Sequence, residues 1–334
     1  MTEPAGQTRD IEGAGATGVD MDGVDATARA ARRSRRERLN NEASRRVAIG
    51  VAATLLGGFF WGFSGTAASS LFTNYHLDTL WLLSMRQIFA GLLFMIVVVA
   101  RDRKRFVRLW TTPEHRREQL LFSVFGLLLN QFGYLMAVRL TNAGTATVLQ
   151  CLQLIFIMGD TCMRARRRPR TRELVGLVLA LFGTFLLACG GNLSQLSISP
   201  QGLAAGLVAA VGATLTVTIP RKILPEYGST IVTGSGMVVA GVCTSIFVQP
   251  WNHLPELDTT GILTLVAFIA VGSFLAYFLY MQGVKDLGGM RASMLGTIEP
   301  VAAAVTSALL LGVTFAPTDI AGFAAIIIMV FLTV

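Results

Sequence analysis

The chain has 334 residues, of which 53% are hydrophobic and only 14% charged, and its mean hydropathy is +0.59. A soluble domain carries about 25% charge, so the polar surface of a water-facing globule is missing and an all-α integral membrane protein is expected. The formal net charge of +8 is unevenly spread along the chain, which makes it a guide to topology.

Residues 1–46 precede any apolar run. An acidic, Gly/Ala-rich part (Glu3, Asp10, Glu12, Asp20, Asp22, Asp25) leads into a basic part (Arg29, Arg32, Arg33, Arg35, Arg36, Arg38, Arg45, Arg46). With so little aromatic and β-branched content, the segment cannot bury enough apolar area to offset its ordering entropy. It is expected to be a disordered cytoplasmic tail, too long and too mixed for the n-region of a cleaved signal peptide. Its basic half either draws the tail to anionic lipid or acts only as a topology signal.

Apolar runs of about 17–25 residues are long enough to cross a hydrocarbon core of ~30 Å. They lie near 47–72, 80–100, 119–138, 142–163, 174–190, 202–220, 229–248, 262–283, 290–312 and 317–334, giving ten expected transmembrane helices. Connections are brief, and the longest, 101–118, carries seven basic residues. With the N-terminus inside, the tail and alternate loops hold 26 of the 28 Lys and Arg, which places both termini in the cytoplasm. The remaining two are Arg139, on the opposite side, and Arg86, within a span. Cys151, Cys162, Cys189 and Cys243 fall in apolar stretches without paired spacing and read as small buried hydrophobes.

Shifting the chain by 146 positions aligns two stretches without a gap. Gly126 falls on Gly272, Tyr134 on Tyr280, Val138 on Val284 and Arg139 on Lys285. Further along, Ala146 meets Ala292, Thr147 meets Ser293, Gln153 meets Glu299, Glu173 meets Asp319 and Gly176 meets Gly322. Five spans per half is an odd number, so the second copy must be inverted relative to the first. The expected halves are residues 47–190 and 202–334. Inverted repeats of this kind build secondary transporters, with the substrate site near the midplane where the halves meet.

The stretch from Gly272 to Val301, GSFLAYFLYMQGVKDLGGMRASMLGTIEPV, resembles the eighth and ninth spans of EamA-type proteins of the drug/metabolite transporter superfamily. These show an aromatic pair, a short basic turn, small residues, and Glu-Pro before an apolar run. Trp61-Gly62 in the first span and Arg86 in the second resemble the same family, and the likeness covers roughly residues 47–334. It implies ten helices and transport of a small polar metabolite, most plausibly an amino acid or related compound, with export the commoner direction.

Glu299 lies nine residues into its expected span, roughly 13 Å deep at 1.5 Å per residue. An acid there costs on the order of 2.5–3.5 kcal/mol on insertion scales and usually faces a cavity. It is either a substrate or proton site, or a neutral hydrogen-bonded Glu that fixes helix packing. Pro300 beside it lacks an N–H and frees a carbonyl one turn earlier. Arg86 stays charged at any relevant pH. It either snorkels to the interface, or faces inward to pair with Glu299 or hold a substrate carboxylate. Asp160, four residues before Arg164, is expected to pair with it at the cytoplasmic interface. Trp61, Asn130, Gln131, Tyr134, Gln150, Gln153, Tyr277 and Tyr280 form a second tier of polar and aromatic groups within spans. Several are spaced three apart on one helix face, as cavity lining or as interhelical hydrogen bonds.

Gly62-Phe63-Ser64-Gly65 matches the GxSG pattern of intramembrane serine proteases, so Ser64 defines the alternative function. Such a serine needs a base within hydrogen-bond reach, yet His76, His115 and His253 all fall in loops. No nucleotide-binding Gly loop or metal-ligand cluster occurs. No enzyme activity, cofactor, metal or nucleic-acid partner is therefore expected. The expected partners are a small-molecule substrate and membrane lipid, with the chain a monomer or homodimer in the cell membrane.

Overall fold

The computed structural model describes residues 21–141, 143–189, 199–252, 254–311 and 317–333, and separates residues 1–45 from residues 46–334. Residues 21–45 are helical, in a region whose low apolar content led to an expectation of disorder. The run from Ala26 to Arg38 is dominated by Ala and Arg, both strong helix formers. The tail's first twenty residues lie outside the described ones.

The described residues form helices and no strands. In chain order these are α1 (Met21–Asn74), α2 (Thr79–Arg101), α3 (Arg103–Thr111), α4 (Pro113–Leu121), α5 (Leu129–Leu140), α6 (Ala143–Cys151), α7 (Gln153–Ala165), α8 (Thr171–Cys189), α9 (Pro200–Thr218), α10 (Ile223–Tyr227), α11 (Ser229–Val248), α12 (Thr259–Ile269), α13 (Ala276–Leu287), α14 (Gly289–Gly296), α15 (Ile298–Leu311) and α16 (Pro317–Thr333). A π-helical segment, Phe122–Leu128, joins α4 to α5, and another, Ala270–Leu275, joins α12 to α13.

Helix α2 shows why these are membrane helices. Leu82, Leu83, Ala90 and Phe94 are buried on one face, while Phe89, Leu92, Ile96 and Val99 are exposed on the other. A helix that is apolar all round has no face for water. Seven helices among the described residues are long and apolar enough to cross a membrane: Ser44–Asn74, Thr79–Arg101, Pro113–Leu140, Thr145–Ala165, Pro200–Arg221, Ser229–Val248 and Thr259–Leu287. A shorter apolar helix covers Ile320–Leu332. The seven coincide with seven of the ten expected spans. The other three fall on α8, on α14 with α15, and on α16.

Two expected spans are interrupted rather than continuous. The run 142–163 is α6 and α7 separated at Leu152, and 290–312 is α14 and α15 separated at Thr297. In the second, Pro300 has no N–H to offer Gly296, and the Thr297 hydroxyl donates back to the Met294 carbonyl at 2.7 Å. In the first, Leu152 N–H bonds to the carbonyl of Leu149 at 3.2 Å, a tighter turn than the α-helical one.

The succession of elements also recurs at the 146-residue shift. The first π-helical segment, α5, α6, α7 and α8 each start within two residues of their counterparts, namely the second π-helical segment, α13, α14, α15 and α16. The packing has the same pattern. α2 pairs with α11 and α8 with α16, while α5 lies on α9 as α1 lies on α13. Small residues make these approaches possible, since lipid-embedded helices associate by close backbone packing.

Gly62 of α1 sits against the backbone of α15. A Cβ there would stand 2.5 Å from the Glu299 carbonyl oxygen and 2.6 Å from Ala303 N. Gly159 of α7 has nothing within 4 Å of the same position. Gly62→Ala should therefore lower the thermal unfolding midpoint of the purified protein, at a cost of about 1–3 kcal/mol for overpacking. Gly159→Ala should leave the midpoint unchanged or raise it. Equal midpoints for the two variants would show that the α1–α15 seam tolerates a methyl group.

Candidate functional site

Glycines on α1 set the first wall of the site. A Cβ on Gly57 would press on the Ala276 carbonyl and Tyr280 N, both at 2.9 Å, so α1 and α13 are nearly in backbone contact there. One turn along, the Trp61 ring packs between two tyrosines, with its centroid 4.9 Å from Tyr277 and 4.5 Å from Tyr280. Arg86 projects from the buried face of α2 and is 7% exposed. Its guanidinium carbon lies 5.0 Å from the Phe268 ring centre and 6.0 Å from that of Tyr277. Rings at this distance attract a cation through their quadrupole, and Arg86 faces inward rather than snorkelling to an interface.

Helix α5 contributes Asn130, Gln131 and Tyr134, the α6–α7 break contributes Gln150 and Gln153, and the start of α15 contributes Glu299. The structure brings all ten expected residues together: Trp61, Arg86, Asn130, Gln131, Tyr134, Gln150, Gln153, Tyr277, Tyr280 and Glu299 line one cavity of about 70 Å³. That volume is below the ~300–1,000 Å³ of pockets for drug-sized ligands, so the cavity suits only a small solute.

Gln150 Nε2 donates to Asn130 Oδ1 at 2.8 Å. The Tyr134 hydroxyl is 3.4 Å from Thr147 Oγ1, and that of Tyr280 is 3.0 Å from Ser293 Oγ. These two tyrosine contacts map onto each other at both ends under the 146-residue shift. By contrast, Trp61 Nε1, Arg86 Nε and both amide atoms of Gln131 are buried with no protein partner. These atoms are donors and an acceptor left without a partner within the protein, which is uncommon for buried polar groups. Glu299 and Arg86 line the same cavity, but among the described residues no ion pair joins them. Of the alternatives for Arg86, direct pairing with Glu299 is not formed: Arg86 lies against aromatic rings.

Sequence reasoning missed Thr216 and Phe268 and read Ser64 only as a protease-like serine, yet all three also line the cavity. Phe268 stands in an unbroken apolar run, and only the 146-residue shift, which places it on Phe122, could have singled it out. Asp160 pairs with Arg164 at 2.7 Å, as expected from the spacing, and also with Arg221. Ser64 is buried against Gly272, and no histidine is among the cavity-lining residues. His115, expected in a loop, lies on α4 and bonds to the Tyr227 hydroxyl at 2.7 Å, and His76 is exposed between α1 and α2. His253 lies outside the described residues. Among the described residues no group of His, Cys, Asp and Glu is placed to hold a metal ion.

The model of the EamA-like transporter family matches residues 48–189 and again 200–334. The chain belongs to the EamA-like transporter family. Among curated relatives, the inner membrane transporter YicL of Salmonella typhimurium is 32% identical over 274 residues, which is 81% of this chain and 90% of that one. A protein of the same organism named as a probable amino-acid metabolite efflux pump is 24% identical, over 72% of this chain and 82% of its own. PecM of Dickeya dadantii is 24% identical over 54% of this chain and 59% of its own. One solved crystal structure superposes with a TM-score of 0.70 at 17% identity, covering 86% of this chain and 96% of its own, and so shares the fold. This EamA-like chain is a multi-pass membrane protein.

The matched tyrosines of the EamA-like cavity give a measurable difference. The Tyr280–Ser293 contact is shorter and fully buried, whereas the Tyr134–Thr147 contact is longer. Interhelical hydrogen bonds in membranes average ~0.6 kcal/mol. Tyr280→Phe should lower the thermal midpoint by an amount of that order and more than Tyr134→Phe does. The reverse ranking would assign the stabilising role to the first-half tyrosine.

Proposed function

We propose that the chain is a secondary transporter of ten spans, arranged as two inverted five-helix halves with both termini in the cytoplasm. It moves a small polar metabolite, an amino acid or related compound, outward by alternating access through the central cavity. The observation that carries this reading is the cavity's composition. Residues of both halves line it, and pairs related by the 146-residue shift (Tyr134 and Tyr280, Gln153 and Glu299, Gln131 and Tyr277) meet in it. A two-fold relation between halves brings matched residues to one place, and an odd number of spans makes that relation an inversion.

Two further features support the reading. Helices interrupted beside the cavity, at Leu152 and Thr297, are the kind that line transporter sites. A fixed cation and a carboxylate in one cavity, together with unpartnered amide and indole groups of the same lining, are complementary to a zwitterion. In this reading Arg86 holds the substrate carboxylate and Glu299 its ammonium group or the coupling proton. The relative named as an amino-acid metabolite efflux pump suggests the substrate class. Ser64, packed on Gly272 without a histidine in the cavity, favours no second reading.

The test is counterflow of a pool of labelled amino acids in liposomes holding the purified protein. At least one label should accumulate. Arg86→Ala should reduce that uptake by about 10- to 100-fold, since a hydrogen bond to a charged group contributes ~1.5–3 kcal/mol, while Arg86→Lys should keep part of it. If Glu299 carries the coupling proton, Glu299→Gln removes the pH dependence of net transport and leaves exchange intact; if it holds the ammonium group, exchange is lost as well. No accumulation by folded protein would overturn the amino-acid assignment. Unchanged pH dependence in Glu299→Gln would move the coupling proton elsewhere.

A further inference from the structure

A second concavity, of about 640 Å³, shares no lining residue with the central cavity. It opens where the 164–173 connection, the start of α14 and the end of α16 converge. Arg164, Arg167, Arg170, Arg172, Arg221 and Arg291 line it, with Glu173 as the single acid of the lining.

The carboxylates nearby are already engaged. Arg167 grips both oxygens of Glu173, at 2.7 and 2.8 Å, and this contact holds the Glu173 carboxyl below the ordinary carboxylate range. Asp160 is shared by Arg164 and Arg221. Among the described residues no carboxylate forms an ion pair with Arg170, Arg172 or Arg291. Three arginines therefore line one concavity without an ion pair of their own, and Glu173, whose carboxyl Arg170 also influences, is the one acid they share with Arg167, so an added anion is favoured there. Guanidinium forks match phosphate geometry bidentately. Gly288 caps α14 without a side chain, so the amide end of that helix at the pocket adds to the positive field.

The positive-inside bias alone accounts for arginines in this connection. It does not account for their convergence on a walled concavity that is also lined by the apolar side chains of Leu287, Met290, Met294 and Leu332. We propose that this pocket binds a phosphate-bearing anion, either the headgroup of an anionic phospholipid or a soluble phosphate compound. The inference is independent of what the central cavity transports.

The experiment compares the wild-type chain, the triple variant R170A/R172A/R291A and a loop control, R103A/K104A/R105A, which removes equal charge from another exposed basic segment. Thermal stabilisation of each purified protein is titrated with inorganic pyrophosphate in one arm. A second arm uses dioctanoyl phosphatidylglycerol against dioctanoyl phosphatidylcholine. Half-saturation should rise at least tenfold in the triple variant and stay near wild type in the loop control. An effect confined to phosphatidylglycerol identifies the lipid headgroup, and an effect with pyrophosphate identifies a soluble ligand. Either supports the site. No stabilisation of the wild type by any probe, or equal weakening in both variants, overturns it. Should the triple variant fail to fold, the single charge reversal Arg172→Glu carries the same readout.

Discussion

A guanidinium that cannot shed its proton is held inside a helix bundle whose outer faces are apolar, and the interior is arranged around that constraint. On insertion scales a central Arg costs on the order of 2.5–3.5 kcal/mol, so Arg86 requires polarisable or polar neighbours at close range. Phe268 and Tyr277 supply ring faces at 5.0 and 6.0 Å. The Tyr277 ring stands where it does because Gly57 brings α13 up to α1, letting Trp61 pack on Tyr277 and Tyr280. The small-residue seams are thus a condition of the site as well as of the fold. A methyl group at Gly57 or Gly62 would push the aromatic wall or the Glu299 backbone away from the charge.

The recurrence at 146 residues explains how one short chain assembles such a wall from distant segments. Matching elements carry matching irregularities: each π-helical segment precedes a tyrosine helix, and each tyrosine helix precedes an interrupted pair. A π-helical turn inserts an extra residue and so rotates the helical turns beyond it. Tyr134 and Tyr280 follow the ends of these segments by six and five residues, so their placement is similar rather than identical. Their hydroxyl contacts to Thr147 and Ser293 repeat that placement.

Much of this was legible in the sequence, for reasons that differ by residue. Seven spans were readable because hydropathy over some twenty residues is a bulk property. The ten cavity residues were readable because polar groups in a span have few places to go except inward. What escaped depended on geometry rather than composition. The interruption at Leu152 has no proline to announce it. Phe268 is one of 20 phenylalanines, and apart from its match to Phe122 only its position beside Arg86 distinguishes it. The arginines of the 164–173 connection were legible as topology signals, but charge counting carries no information about convergence on a pocket. Arg86 and Glu299 were natural partners by charge, yet the aromatic rings compete for the guanidinium, and sequence cannot rank the two.

The scaffold is matched between halves, whereas the charged chemistry is not. The paired helix α11 contains no Lys or Arg, and α9 contains no Trp, so those helices hold no counterpart to the cation or its indole neighbour. Glu299 falls on Gln153, which keeps shape and hydrogen bonding but drops the charge. The cavity therefore has a fixed positive end contributed by the first half and an acid contributed by the second. For a transporter of the proposed kind, this asymmetry sets one orientation for a dipolar solute. The matched elements, the interrupted helices and the tyrosine contacts, are free to serve as equivalent gates on the two sides. In the proposed alternating-access mechanism the opposite charges belong to different halves, so relative movement of the halves would change their separation. In that proposed mechanism the attraction between Arg86 and Glu299 would vary with conformational state, and a zwitterion between them would couple binding to the movement.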